Sequence, residues 1–197
     1  MCAMRTTLGL IRVLISLAPA LLVSCASPSA PPEFRTTATV KDIMDALVDP
    51  SADGLWDSVS YVTTAAGTVE NAPRTDDDWK ALRRHAIVLM EASNMLLVPG
   101  RHVAQPGEQA EDLRVERSPE DIQAMISHDV TQWTRFAHGL HDAASENLSA
   151  VTAKNVEQLL AAGDTLDAAC ERCHVKYWYR VEPAADAASQ RLRNAVP

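Results

Sequence analysis

The chain has 197 residues, and 26 acidic against 18 basic side chains give it a formal net charge of −8. An acidic surface argues against nucleic acid and against charge-driven binding to anionic lipid, and it favours a partner with a basic or neutral face. With 47% hydrophobic residues, the chain is long and apolar enough for one globular domain with a substantial core.

Arg5 and Arg12 precede an apolar run from Val13 to Val23 that is too short to cross a bilayer and is shaped like the centre of a secretory signal. The run ends in Leu22-Val23-Ser24-Cys25, which resembles the lipobox of bacterial lipoproteins. That resemblance implies removal of residues 1–24, acylation of Cys25 and a lipid anchor in the membrane. With Ala26 next to the cysteine, it implies the outer membrane, on the periplasmic side. An ordinary signal peptide cut at a nearby small residue is the competing reading. Residues 25–37 are rich in Pro and Ser and read as a flexible tether. Residues 38–180 form the folded body, and 181–197 a C-terminal tail.

Val40, Ile43, Met44 and Leu47 carry the i, i+3, i+4, i+7 pattern of an amphipathic helix. Pro50 lacks an N–H and is expected to kink or interrupt it. Ser51 is placed to cap a resumption that carries Leu55, Trp56 and Val59 to about Thr63. A second helix follows the Asp76-Asp77-Asp78 run, whose charge suits a helix N-terminus, and ends at Pro99-Gly100. From there to Arg117 the chain reads as a polar loop. Ser118-Pro119-Glu120-Asp121 starts a third helix that places Ile122, Met125, Ile126, Trp133, Phe136, Ala137 and Leu140 on one face and runs to about Asn147. A fourth helix starts near Thr152 and turns Val156, Leu159, Leu160, Gly163, Leu166 and Cys170 inward. No alternating strand pattern of useful length is evident, so the body reads as an all-α, antiparallel four-helix bundle.

The fourth helix ends in Cys170-Glu171-Arg172-Cys173-His174, the Cys-x-x-Cys-His spacing of c-type haem attachment. On one helical turn the two thiols can each add to a haem vinyl group, and the adjacent imidazole of His174 can bind the iron as proximal ligand. A zinc site would need two more ligands at matching spacing, and the chain has no second Cys pair. The cysteine count agrees. Cys2 lies in the removed segment, Cys25 takes lipid, and Cys170 and Cys173 take one haem c, leaving none for a disulfide.

An all-helical domain whose only Cys-x-x-Cys-His lies on its last helix resembles the class II c-type cytochromes, the cytochrome c-prime type, over residues 38–180. Tyr177, three residues after the histidine, matches the aromatic common in that family. Trp178 departs from it, because a basic residue often stands there beside the proximal imidazole; Lys176 or Arg180 are the substitutes at hand. The resemblance implies a distal residue from the first helix, methionine in the six-coordinate branch and an apolar non-ligand in the five-coordinate branch. Met44 is the only methionine on that helix, so it is either the distal iron ligand or a flexible core filler. Family members often pair as homodimers through their first two helices.

These features imply a membrane-tethered electron-transfer protein with a His/Met-ligated haem c. A five-coordinate haem module binding nitric oxide or carbon monoxide is the alternative. A relay subunit of a larger membrane redox complex is a third reading. Peroxidase-type catalysis fits poorly, since no distal His–Arg pair can be placed on the first helix, and the chain reads as a non-enzyme. His85, beside Arg83 and Arg84, reads as solvated, and so do His138 and His141. Trp56, Trp133 and Trp178 read as core or haem-edge packing. Asn147-Leu148-Ser149 matches a glycosylation sequon of little meaning in a bacterial lipoprotein.

Overall fold

The structure, a computed structural model, describes residues 34–180, so the signal segment, Cys25, most of the tether and the 181–197 tail lie outside the described residues. The described chain is mostly helical with one two-stranded antiparallel sheet. The all-α expectation is corrected in that one respect.

The first helix begins with a reciprocal cap. Thr39 Oγ1 accepts from the Asp42 N–H, and the Asp42 carboxylate accepts from the Thr39 N–H at 2.8 Å. The helix then runs as α1 (Val40–Ile43), a π-helical segment (Met44–Val48) and α2 (Asp49–Trp56). Pro50 does not stop it. Its missing N–H would have bonded the Ala46 carbonyl, and the backbone avoids that clash by widening one turn, with the Asp49 N–H reaching Met44 O. Ser51 is therefore a buried helix-interior residue rather than a cap.

The helix ends at Trp56 and not near Thr63. Ser60–Thr64 (β1) and Gly67–Asn71 (β2) form a hairpin with Val62 opposite Val69 and Thr63 opposite Thr68. The run Tyr61-Val62-Thr63-Thr64 is aromatic and β-branched, and Gly67 takes a φ of +125° at the turn, which L side chains rarely adopt. Being exposed on both faces, these strands lack the apolar alternation by which a half-buried strand is recognised.

The Asp76–Leu96 helix (α3) starts as its charge pattern suggests, with Thr75 and Asp78 forming a second reciprocal cap. Between Leu96 and Pro119 the described chain is irregular, and it folds back to close the start of the first helix, where Val40 N–H bonds His102 O and Lys41 N–H bonds Val103 O. The expected third helix is two: α4 (Pro119–His128), capped by Ser118, and α5 (Val130–Thr152). They part at Asp129, whose side chain leaves the helical path to accept from Gln132 N–H at 2.9 Å and so starts α5 afresh. The last helix, α6 (Val156–Tyr177), starts at the Asn155 cap, a few residues later than the sequence suggests.

Contacts along the helices fix the topology. Trp133 Nε1 near the start of α5 bonds Leu96 O at the end of α3, and Lys154 just past α5 meets Asp76 at the start of α3. Asn147 late in α5 bonds Ala162 O early in α6, and Trp56 at the end of α2 bonds Gly163 O. Each neighbour is thus antiparallel, and the first helix, α3, α5 and α6 close an up-down-up-down bundle around Ile43, Leu89, Ala144 and Leu166, all fully buried.

Candidate functional site

The α6 backbone puts Leu159, Leu166 and Ala169 inward, and one turn further on Cys170 and Cys173 lie beside that buried face. Both thiols are free and half-buried. Burial pushes their pKa values up, to about 11 for Cys170 and about 12 for Cys173, so at neutral pH both are protonated thiols rather than the thiolates of a redox pair. His174 follows, half-buried, with its carbonyl accepting both Trp178 N–H at 2.8 Å and Tyr179 N–H at 2.9 Å.

These three residues open onto a cavity of about 310 Å³. The first helix supplies one wall with Met44, Val48, Ala52 and Trp56; α5 supplies another with Trp133, Phe136, Ala137 and Leu140; Leu96 of α3 closes the end. The four first-helix residues are spaced by four, and the π turn, with more residues per turn, keeps them nearer one line than an α-helix would. Cys170, Cys173 and His174 of the motif and Met44, which the resemblance points to, therefore line one space. The cavity lies within the range of about 300–1,000 Å³ usual for small-molecule and cofactor sites.

The donor set and wall fit a haem. Cys170 and Cys173 would hold it covalently, His174 would ligate the iron, Met44 offers a second ligand, and the wall is apolar apart from Asp49 and Asp53 at the rim. Burial and the neighbouring Asp45 raise the Asp49 carboxyl pKa, with the charge of His174 opposing. Among the described residues no group of three or more His, Cys, Asp and Glu side chains is placed to hold a metal ion.

Several surrounding residues differ from their sequence reading. His85 is half-buried rather than solvated, with its ring packed on Gly54, where a Cβ would come within 2.7 Å of it. Trp56 and Trp133 line the cavity, but Trp178 does not; it lines a separate, smaller cavity with Lys41, Asp45 and Arg117. Tyr177 is buried in edge contact with Trp133 and Phe136 at 5.3 and 5.6 Å between ring centres. Asn147 is fully buried, its amide donating to Ala143 O and Ala162 O, so the sequon is a structural hydrogen-bonding residue. The sequence reading missed Asp49 and Asp53. The signal was there, in carboxylates four residues apart on the helix that carries Met44, adjacent to Val48 and Ala52.

Tyr179 stands beside the His174 imidazole, its ring edge-on at 6.0 Å between centres. Comparison with protein-family models, with curated proteins and with solved structures gives no match.

Proposed function

We propose that this chain is a c-type cytochrome that carries single electrons on one haem c, which Cys170 and Cys173 would hold covalently and whose iron His174 and Met44 would ligate. The observation that carries the reading is the convergence of those four side chains on one largely apolar cavity. The haem, when bound, supplies the one-electron chemistry at its iron. The chain supplies the rest. The two thiols lie one helical turn apart and fix the macrocycle to α6, and the imidazole of the next residue is carried to the same side by the helix itself. A thioether from the first helix favours the ferrous state, and the Trp56, Trp133 and Phe136 walls keep water away, so both raise the potential.

Lipidation of Cys25 would tether the protein to the outer membrane on its periplasmic side. Ala38 is held by Arg101 at the end of the bundle where α3 ends and α5 begins, the end that also carries His174. Asp45, Asp49 and Asp53 are exposed on the first helix, two of them on the cavity rim, which supports a redox partner with a basic face. The homodimer and the relay role within a larger complex remain proposals that the family resemblance and the tether motivate.

Absorption spectra of the ferric and ferrous protein, with and without carbon monoxide, test the ligation. A low-spin spectrum unaffected by carbon monoxide is expected. A high-spin protein that binds carbon monoxide at once would instead make the chain a gas-binding module on the same scaffold.

A further inference from the structure

We infer that Tyr179 is a positioning residue for the His174 imidazole. The inference rests on the proposed proximal role of His174.

Tyr179 lies past the end of α6, yet the backbone turns it back over the helix. Trp178 N–H and Tyr179 N–H both bond His174 O, at 2.8 and 2.9 Å, so the last turn closes on the histidine itself. The segment after it is pinned from the other side. Arg117 N–H bonds Trp178 O at 2.8 Å and Arg180 N–H bonds Val115 O at 2.7 Å, pairing Glu116 with Tyr179 in an isolated antiparallel bridge. One turn back on α6, the Glu171 carboxylate accepts the Tyr179 hydroxyl at 3.4 Å. The backbone bonds on both sides therefore fix where this side chain starts, and the long hydroxyl contact adds only a weak restraint on a ring with 39% of its area exposed. That backbone path sets the ring against the His174 imidazole, edge-on at a centre separation of 6.0 Å, within the range of favourable aromatic pairs.

Two consequences follow for a haem iron bound to that imidazole. The tyrosine ring restricts imidazole rotation, doing by packing what a hydrogen-bonded carboxylate does at many metal-ligating histidines. It also keeps water off the imidazole, and a drier ligand environment disfavours the more highly charged ferric state.

The test compares Tyr179→Ala and Tyr179→Phe in the full-length, haem-loaded protein. Two quantities are read: the midpoint potential, and the iron–imidazole stretching frequency in the ferrous state by resonance Raman spectroscopy, in a Met44→Ala background so that the iron is five-coordinate. Tyr179→Ala is expected to lower the potential and to shift and broaden the stretching band, while Tyr179→Phe, which keeps the ring, restores both to the parent values. If the alanine variant does not accumulate, Tyr179→Leu is expected to shift both in the same direction by less. A Tyr179→Ala protein with the parent potential and the parent band overturns the positioning role. His174→Ala separates that failure from failure of the haem reading: if the band survives this substitution, His174 is not the ligand and the underlying assignment is wrong.

Discussion

Trp56 Nε1 donates to the carbonyl of Gly163 at 3.1 Å, and the missing Cβ of that glycine leaves Trp56 Cδ1 3.4 Å from where one would stand. This pair joins α2 to α6, with Trp56 forming part of the cavity wall. Trp56→Phe removes the bond and is expected to cost about 1 kcal/mol of stability in a denaturant titration. Gly163→Ala adds a methyl at ordinary contact distance and removes a helix-interior glycine, so it should be neutral or stabilising by up to about 1 kcal/mol. A large loss for Gly163→Ala would mean the two helices approach more closely than described.

Tyr177 offers a sharper contrast. Its ring is packed by Trp133 and Phe136, but its buried hydroxyl has no hydrogen-bond partner, and burial pushes its pKa to about 12. Tyr177→Phe keeps the packing and removes the unpaired group. It is expected to leave stability unchanged or to raise it by about 1 kcal/mol, measured as the shift in denaturation midpoint. A loss would show that the hydroxyl has a partner in the haem-loaded protein.

Most of the bundle is legible in the sequence because helix periodicity and cap chemistry are local. Thr75 with Asp78, Ser118 with Pro119, and the Cys-x-x-Cys-His run all declare themselves within a few residues. What is not legible depends on wider context. Pro50 breaks helices in general, and here the π turn over Met44–Val48 absorbs it, because the flanking residues Ile43, Val48 and Ala52 are all buried and packing rewards continuity. The hairpin is exposed on both faces and so shows no alternation. Asp129 interrupts an apolar stripe that continues across it from Ile122 to Trp133, and a stripe alone cannot register the break. Tyr179 touches His174 only because the chain turns back after Tyr177 and pairs with residues 115–117.

The two reciprocal caps predict acid sensitivity. Hydrogen bonds from the backbone N–H groups of Thr39 and Arg74 lead the causes holding the Asp42 and Asp78 carboxyls below the ordinary carboxylate range. A lowered folded-state pKa means stability that is fully present above the unfolded value, about pH 4, and lost as pH falls through the lower folded value. Melting temperature should therefore drop across that window. Asp42→Asn and Asp78→Asn should flatten the drop while lowering stability at neutral pH. An unchanged acid profile in the double variant would place the acid-sensitive groups elsewhere.

For Cys25 the expected outcome is cellular. Two acyl chains bury enough methylene groups, at about 0.8 kcal/mol each, to hold a protein on a membrane. The wild-type protein should sediment with outer membranes, and Cys25→Ala should release a soluble periplasmic form. Wild-type protein found already in the soluble periplasm would favour the ordinary signal peptide.

Met44→Ala isolates the distal ligand. It should convert a low-spin spectrum to a high-spin one, lower the midpoint potential and open the iron to carbon monoxide, because the thioether that favours the ferrous state is gone. If the spectrum of Met44→Ala matches that of the parent, Met44 is core packing.

The central claim is covalent haem at Cys170 and Cys173, and acid–acetone extraction of the purified, exported protein tests it most directly. Thioether bonds survive that treatment. The account predicts that the pigment stays with the precipitated polypeptide in the wild type and is sharply reduced in Cys170→Ala and Cys173→Ala. Pigment that passes into the acetone from the wild-type protein would contradict it.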